Sequence, residues 1–144
     1  MRQPKWVKKG LLARSNRPGY PDRDVSLETV DEWIDRVKEM GIKSIICLLT
    51  DEQLEYYAGV PGGLIERYRQ RGLTVKHIPI TDPAHDPQGW RELEESLDLI
   101  YRAFECLPKP VLVHCSAGID RTGEAIRYIM ERSGVKPPRN TKGR

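Results

Sequence analysis

The segment His114 to Gly123, HCSAGIDRTG, brings a thiol, two glycines and a guanidinium close together in sequence. A short apolar run, Pro110 to Val113, precedes it, and Thr122 to Arg132 carries Ala125, Ile126, Ile129 and Met130 at helical spacing. The segment is therefore predicted to join a buried strand to the first turn of a helix. A helix N-terminus leaves backbone N–H groups unpaired and concentrates partial positive charge, so a glycine-containing turn leading into it can cradle a phosphate-sized anion. Ser116, Ala117, Gly118, Ile119, Asp120 and Arg121 would form that loop. A cysteine in such a place beside a cation reacts as its thiolate, which makes Cys115 the expected nucleophile. Arg121 stands at the far side of the turn, where its planar fork can hold two phosphate oxygens through a transition state. Thr122 can donate to the Cys115 sulfur when that atom leaves, and Gly118 and Gly123 permit close backbone approach.

His-Cys, five residues, then Arg and Thr resembles the signature of cysteine-dependent protein tyrosine and dual-specificity phosphatases, complete here from His114 to Thr122. The resemblance extends from about Leu11 to Arg132. It implies the compact dual-specificity type of that superfamily: one α/β domain with a central, mostly parallel sheet flanked by helices. It also implies metal-independent, cofactor-free hydrolysis of phosphate monoesters through a cysteinyl-phosphate. Relatives of this type carry an acid aspartate upstream of the cysteine, just after a strand. In the segment HIPITDPAHDP, Asp82 fits that place best and Asp86 is the second choice. By the same resemblance His114 braces the loop through a backbone carbonyl. Asp120 is expected to brace or tune, since some lipid-phosphatase relatives have an aspartate there. Some relatives form a protective disulfide with the catalytic cysteine, a part open to Cys47 or Cys106, although buried small residues are the simpler expectation. Inositol-directed relatives often place lysines inside the loop. Ser116 and Ile119 stand here instead, which favours phosphotyrosine or mixed phosphoprotein substrates. The rival readings are an inositol-lipid or RNA 5′-phosphate phosphatase and a phosphate-binding module without turnover.

With 144 residues the chain is expected to be one domain, 1–144, with a basic irregular tail over about 133–144. The net charge of +3 is modest but unevenly placed. Arg2, Lys5, Lys8, Lys9, Arg14, Arg17 and Arg23 crowd one end, and Arg132, Lys136, Arg139, Lys142 and Arg144 the other. Such ends suit a phosphorylated protein or another anionic phosphate ester, or are simply solvated. A single Phe and no interleaving of aromatic with basic residues leave nucleic acid unsupported. No stretch is apolar enough for a signal sequence or a membrane span. Three cysteines, an odd number without metal spacing, fit a reducing compartment, so a cytoplasmic monomer is expected.

Several elements must position the loop. Leu11 to Arg14 is predicted as a short strand, followed by the turn-rich SNRPGYPDRD. Arg14, Arg17 or Tyr20 in that region could line a substrate entrance, but a loop rich in Arg and Pro is more often solvated, and none is assigned to catalysis. Ser26 caps a helix whose stripe is Val30, Trp33, Ile34, Val37 and Met40, stopped by Gly41. Ile42 to Leu49 has the apolar continuity of a strand buried on both faces. Helices over Asp51 to Tyr57 and Pro61 to Arg71 precede a strand from Leu73 to Ile80, in which His77 is packed. Gln88 to Leu107 is a helix with a core stripe of Trp90, Leu93, Leu97, Ile100 and Phe104. This alternation puts Cys115 and Asp82 at strand carboxyl ends, where α/β sheets gather their ligand sites.

Overall fold

The structure, a computed structural model, describes residues 3–134. Its strands are β1 (Lys5–Lys8), β2 (Leu12–Ser15), β3 (Ser44–Cys47), β4 (Thr74–His77) and β5 (Val111–His114). They form one sheet in the order β1-β2-β5-β3-β4. All neighbours are parallel except β1, which runs antiparallel along β2. This is the mostly parallel α/β sheet anticipated above. Ser15 of β2 and Cys47 of β3 both pair with His114 of β5. Three adjacent strands therefore finish level with one another, and the chain leaving each emerges at one edge.

The helices are α1 (Leu27–Glu39), α2 (Asp51–Leu54), α3 (Gly63–Gln70), α4 (Gln88–Cys106) and α5 (Asp120–Ser133), with a 3₁₀ turn at Glu55–Tyr57 after α2. Ser26 caps α1 by accepting a hydrogen bond from the Thr29 N–H at 3.1 Å, which satisfies one of the orphan donors of the first turn. One sheet face presents Ile46, Val111 and Val113 to Leu93, Leu97, Ile100 and Phe104 of α4 and to Ala125, Ile126 and Ile129 of α5. The other presents Ala13, Ile45, Cys47 and Leu112 to Val30, Trp33, Ile34 and Val37 of α1 and to Leu64 and Tyr68 of α3. Helices on both faces explain why every residue of β3 and β5 is buried.

Two expectations need correction, and one strand was not anticipated. Lys5–Lys8 is a strand that basic composition concealed: Trp6 and Val7 are half-buried while Lys5 and Lys8 are exposed, and such lysines keep a sheet edge from pairing with another chain. The anticipated strand from Leu73 to Ile80 is regular only over Thr74–His77. Beyond it the chain stays extended and remains tied to the β3 side, with Ile78 N–H donating to Cys47 O at 2.9 Å and Ile80 N–H to Leu48 O at 3.2 Å. Trp90 does not join the core stripe of α4, being 49% exposed. It belongs to the first turn, where Gly89 faces inward instead and packs so closely on the Thr81 carbonyl that a Cβ would meet that oxygen at 2.2 Å. Finally, α5 continues through Ser133, and residues 135–144 of the tail expected from about 133 lie outside the described residues.

Ile46 is fully buried at the centre of the sheet. Replacing it by alanine is expected to lower stability by about 2–5 kcal/mol, seen as an earlier urea midpoint with an unchanged m-value.

Candidate active site

The loop between β5 and α5 is held from outside by its carbonyl groups. His114 Nδ1 donates to Cys115 O at 3.0 Å, the Arg17 N–H to Ser116 O at 2.9 Å, and Arg14 Nη2 to Gly118 O at 2.7 Å. None of the backbone N–H groups from Ser116 to Asp120 is used in a loop or turn hydrogen bond among the described residues. The result is a ring of free donors at the start of α5, the arrangement that binds an oxyanion. Gly118 is required for this shape. Its φ is +76°, and a Cβ there would lie 2.6 Å from Ser15 O and 2.8 Å from Asn16 N, because the loop packs directly on the chain leaving β2.

His114 is the brace that the resemblance implied. Since a carbonyl only accepts, Nδ1 carries the proton, and Nε2 accepts from the Tyr68 hydroxyl at 2.8 Å. Burial pushes the imidazole down from 6.5 to about 4, assisted by the nearby charges of Arg121 and Arg17 and opposed by the bond to Cys115 O. Burial also raises Tyr68 far above the usual phenol range, so it remains a hydroxyl donor.

Cys115 is 2% exposed and sits in a cleft of about 390 Å³, within the range of small-molecule sites. Ser116, Ala117, Ile119, Asp120, Arg121 and Asp82 line the same cleft. Arg121, 1% exposed, is anchored by Nη1 to Ile80 O at 2.7 Å, Leu48 O at 3.1 Å and Gln53 Oε1 at 3.0 Å. Its Nη2 donates to Asp82 Oδ2 at 3.1 Å. Asp82 is thereby fixed against the loop, and its Oδ2 also accepts from Gln53 Nε2 at 3.3 Å. Asp86 is exposed and absent from the cleft lining; its Oδ1 instead accepts from the Gln88 N–H at 2.9 Å at the start of α4. Glu92 clamps the segment before Asp82 from α4, accepting from the Thr81 N–H at 2.8 Å and the Thr81 hydroxyl at 2.9 Å.

The remaining predicted residues are distributed as follows. The Thr122 hydroxyl is buried without a hydrogen-bond partner among the described residues, so the expected bond to the Cys115 sulfur is not formed in this arrangement. Asp120 opens α5 and does not pair with Arg121, whose partners are those named above. Cys47 lies on the sheet face opposite the Cys115 cluster, and burial drives its thiol up to about 12. Cys106 is exposed at the end of α4. His77 is packed, with Nε2 2.6 Å from Leu49 O. No group of three or more His, Cys, Asp and Glu is gathered to hold a metal, and no helix is long and apolar enough to cross a membrane, among the described residues.

Gln53 escaped the sequence reading, and Arg17 was weighed for the substrate entrance but not assigned. Gln53 carried a signal only for local structure: with Thr50 it completes a capping box, Thr50 Oγ1 accepting from Gln53 N–H at 3.1 Å and Gln53 Oε1 from Thr50 N–H at 3.3 Å. Arg17 stood in a loop that composition marks as solvated, yet it is 1% exposed and its Nε donates to Ser116 Oγ at 3.0 Å.

A mostly parallel sheet with helices on both faces, and a Cys-to-Arg loop at its carboxyl edge, define the compact dual-specificity type of the protein tyrosine phosphatase superfamily. Residues 23–135 match the family model Tc-R-P, the DSP-PTPase phosphatase of polymorphic toxin systems, and the chain belongs to that family. The amyloplastic phosphoglucan phosphatase DSP4 of Castanea sativa is 27% identical over 107 residues, covering 73% of this chain. The chain spans only 28% of that relative's length. Among solved structures, a kinase-associated phosphatase with its catalytic-site cysteine substituted by serine aligns at a TM-score of 0.63 and 20% identity, over 91% of this chain and 74% of that one. That likeness is one of fold.

Gly118→Ala is expected to destabilise the protein and abolish anion binding by the loop, read together from a thermal melt and a vanadate titration; a variant that binds vanadate normally would contradict the packing argument. His114 predicts a pH dependence of stability. Its folded-state value of about 4 lies below the ordinary imidazole value of 6.5, so the unfolded chain takes up the extra proton and stability falls as pH drops through that interval. Imidazole NMR signals of the folded protein should show His114 still neutral at pH 5.5, and titration near 6.5 would refute its burial.

Proposed function

We propose that this chain hydrolyses phosphate monoesters of phosphoproteins, phosphotyrosine foremost and phosphoserine or phosphothreonine besides, through a cysteinyl-phosphate. The observation that carries this reading is the convergence of Cys115, Arg121 and Asp82 on one cleft at the strand ends. Loop N–H groups and Arg121 bind the phosphoryl oxygens and meet their charge in the transition state. The Cys115 thiolate attacks phosphorus in line, the P–O bond to the leaving group breaks, and Asp82 donates a proton to the departing oxygen. Water then attacks the phosphocysteine, the Asp82 carboxylate takes its proton, and the S–P bond breaks to regenerate the thiolate and release inorganic phosphate.

The pairing of Arg121 with Asp82 suits this cycle. A bound phosphoryl group competes for Arg121 Nη2 and releases the Asp82 carboxyl to face the leaving oxygen. Nη1 keeps its anchors on Leu48 and Ile80, so the guanidinium serves the substrate without leaving its seat. Thr122, with its hydroxyl uncommitted and buried, is available to the sulfur as it becomes a leaving group. The rings of Tyr20 and Tyr56 line the outer cleft and suit an aryl ester.

Cys115→Ser is expected to abolish turnover of p-nitrophenyl phosphate while retaining vanadate or phosphate binding. Asp82→Ala should lower kcat by about 10²–10⁴-fold, as for loss of a general acid, with Asp86→Ala near wild type. The reverse ranking would move the acid to Asp86. A panel of phosphotyrosyl and phosphoseryl peptides, a phosphoinositide, a 5′-phosphorylated RNA and a phosphoglucan, assayed with EDTA present, tests the substrate class; fastest turnover of a non-peptide member would overturn it.

A further inference from the structure

Arg17 is as deeply buried as Arg121, yet among the described residues it has no counter-charge. Arg121 meets the Asp82 carboxylate. Around Arg17 every identified partner is neutral: Ser116 Oγ, the Tyr57 hydroxyl at 3.4 Å from Nη1, and the ring faces of Tyr56 at 4.6 Å and Tyr20 at 5.4 Å. No carboxylate lies within ion-pair distance of it among the described residues. Tyr57 cannot serve as the anion, because its hydroxyl donates to Pro18 O at 2.6 Å and burial raises it above the normal phenol range. Tyrosine faces offset part of the cost of holding a cation away from water, but a desolvated guanidinium without a carboxylate is otherwise costly to keep. The cleft that Arg17 lines is where an anion can reach it.

The exposed Arg23 lines the same wall, 5.6 Å over the Tyr56 ring. Arg17 grips the loop at Ser116, directly after the nucleophile, whereas the Asp120 carboxylate lines the cleft at the loop's other end. The phosphoryl group under attack already has Arg121 and the loop amides. A further negative group would be repelled on the Asp120 side and attracted on the Arg17 side.

We infer that Arg17 and Arg23 form a second anion subsite, so that preferred substrates are phosphate esters whose organic part bears another phosphate or carboxylate beside the one cleaved. The inference rests on the hydrolytic reading above and gives its substrates a chemical feature. A flanking acidic side chain on a phosphopeptide supplies that feature, as does a bisphosphorylated small molecule.

The test compares matched pairs: 3-carboxyphenyl against 3-carbamoylphenyl phosphate, a phosphotyrosyl peptide flanked by Asp against one flanked by Asn, and a sugar bisphosphate against its monophosphate. In at least one pair kcat/KM is expected to favour the additional anion by about tenfold, the scale of one charge-assisted hydrogen bond. The preferred pair tells peptide from small-molecule source. That ratio should fall towards one in Arg17→Gln, fall in part in Arg23→Gln, and survive in part in Arg17→Lys. Titrating Cys115→Ser with the same pairs reads the preference as binding, without turnover, so failure of the hydrolytic reading and failure of the subsite are told apart. Equal values within all pairs for the wild type, or a full ratio kept by Arg17→Gln with a wild-type melting temperature, overturns the subsite. Should Arg17→Gln not fold, Arg23→Gln and Arg17→Lys decide the matter by the same ratio.

Discussion

One buried guanidinium organises the site. Arg121 enters from the first turn of α5 and finds its acceptors on the chain beyond β3, beyond β4 and on α2. Carbonyl oxygens at strand ends are otherwise satisfied by water or further pairing, so their turn towards Arg121 fixes how these segments lie against one another. Asp82 closes the set with a charge. Since removing one member of such a buried pair strands the other, the geometry of acid and cation is held by energy rather than by loop sequence.

The loop itself is braced by a neutral His114 and by Arg14 and Arg17. A protonated His114 would place a third charge beside Arg121 and Arg17, and burial prevents that near neutral pH. Its two hydrogen bonds also set the ring orientation and hold Cys115 O, while the following N–H groups stay out of the loop's own hydrogen bonds among the described residues. Gly118 then lets the loop touch the end of β2, and that contact brings Arg14 and Arg17 within reach of its carbonyls. Cleft chemistry and sheet register are thus coupled: a shift of β2 against β5 would remove these arginines from the loop.

Family membership defines the reaction class, while substrate choice lies in the wall around the loop. That wall here is tyrosine and arginine: Tyr20 and Tyr56 offer ring faces, Arg17 and Arg23 offer charge. Under the proposed reading, the combination suits a planar or ring-bearing ester carrying more than one negative group. The match to only a quarter or so of the phosphoglucan phosphatase's length means that this wall, rather than the relative's own substrate, is the guide to specificity.

Much of this was legible in the sequence, for reasons specific to each element. Apolar continuity marked β3 and β5 because both faces are covered, helical stripes marked α1 and α5, and glycines between a strand and a helix marked the anion loop. Trp90 misled because periodicity reports a face and not whether the sheet extends beneath that turn, and β1 was hidden because an edge strand needs only half its surface apolar. Gln53 and Arg17 showed least, since their roles depend on partners far away along the chain. The amino-acid order alone therefore determined the parallel α/β class and the Cys115–Arg121 loop, both local in origin. Only tertiary packing decided that Asp82 rather than Asp86 faces that loop and that Arg17 is buried beside it, because both depend on strands from distant parts of the chain ending at one level.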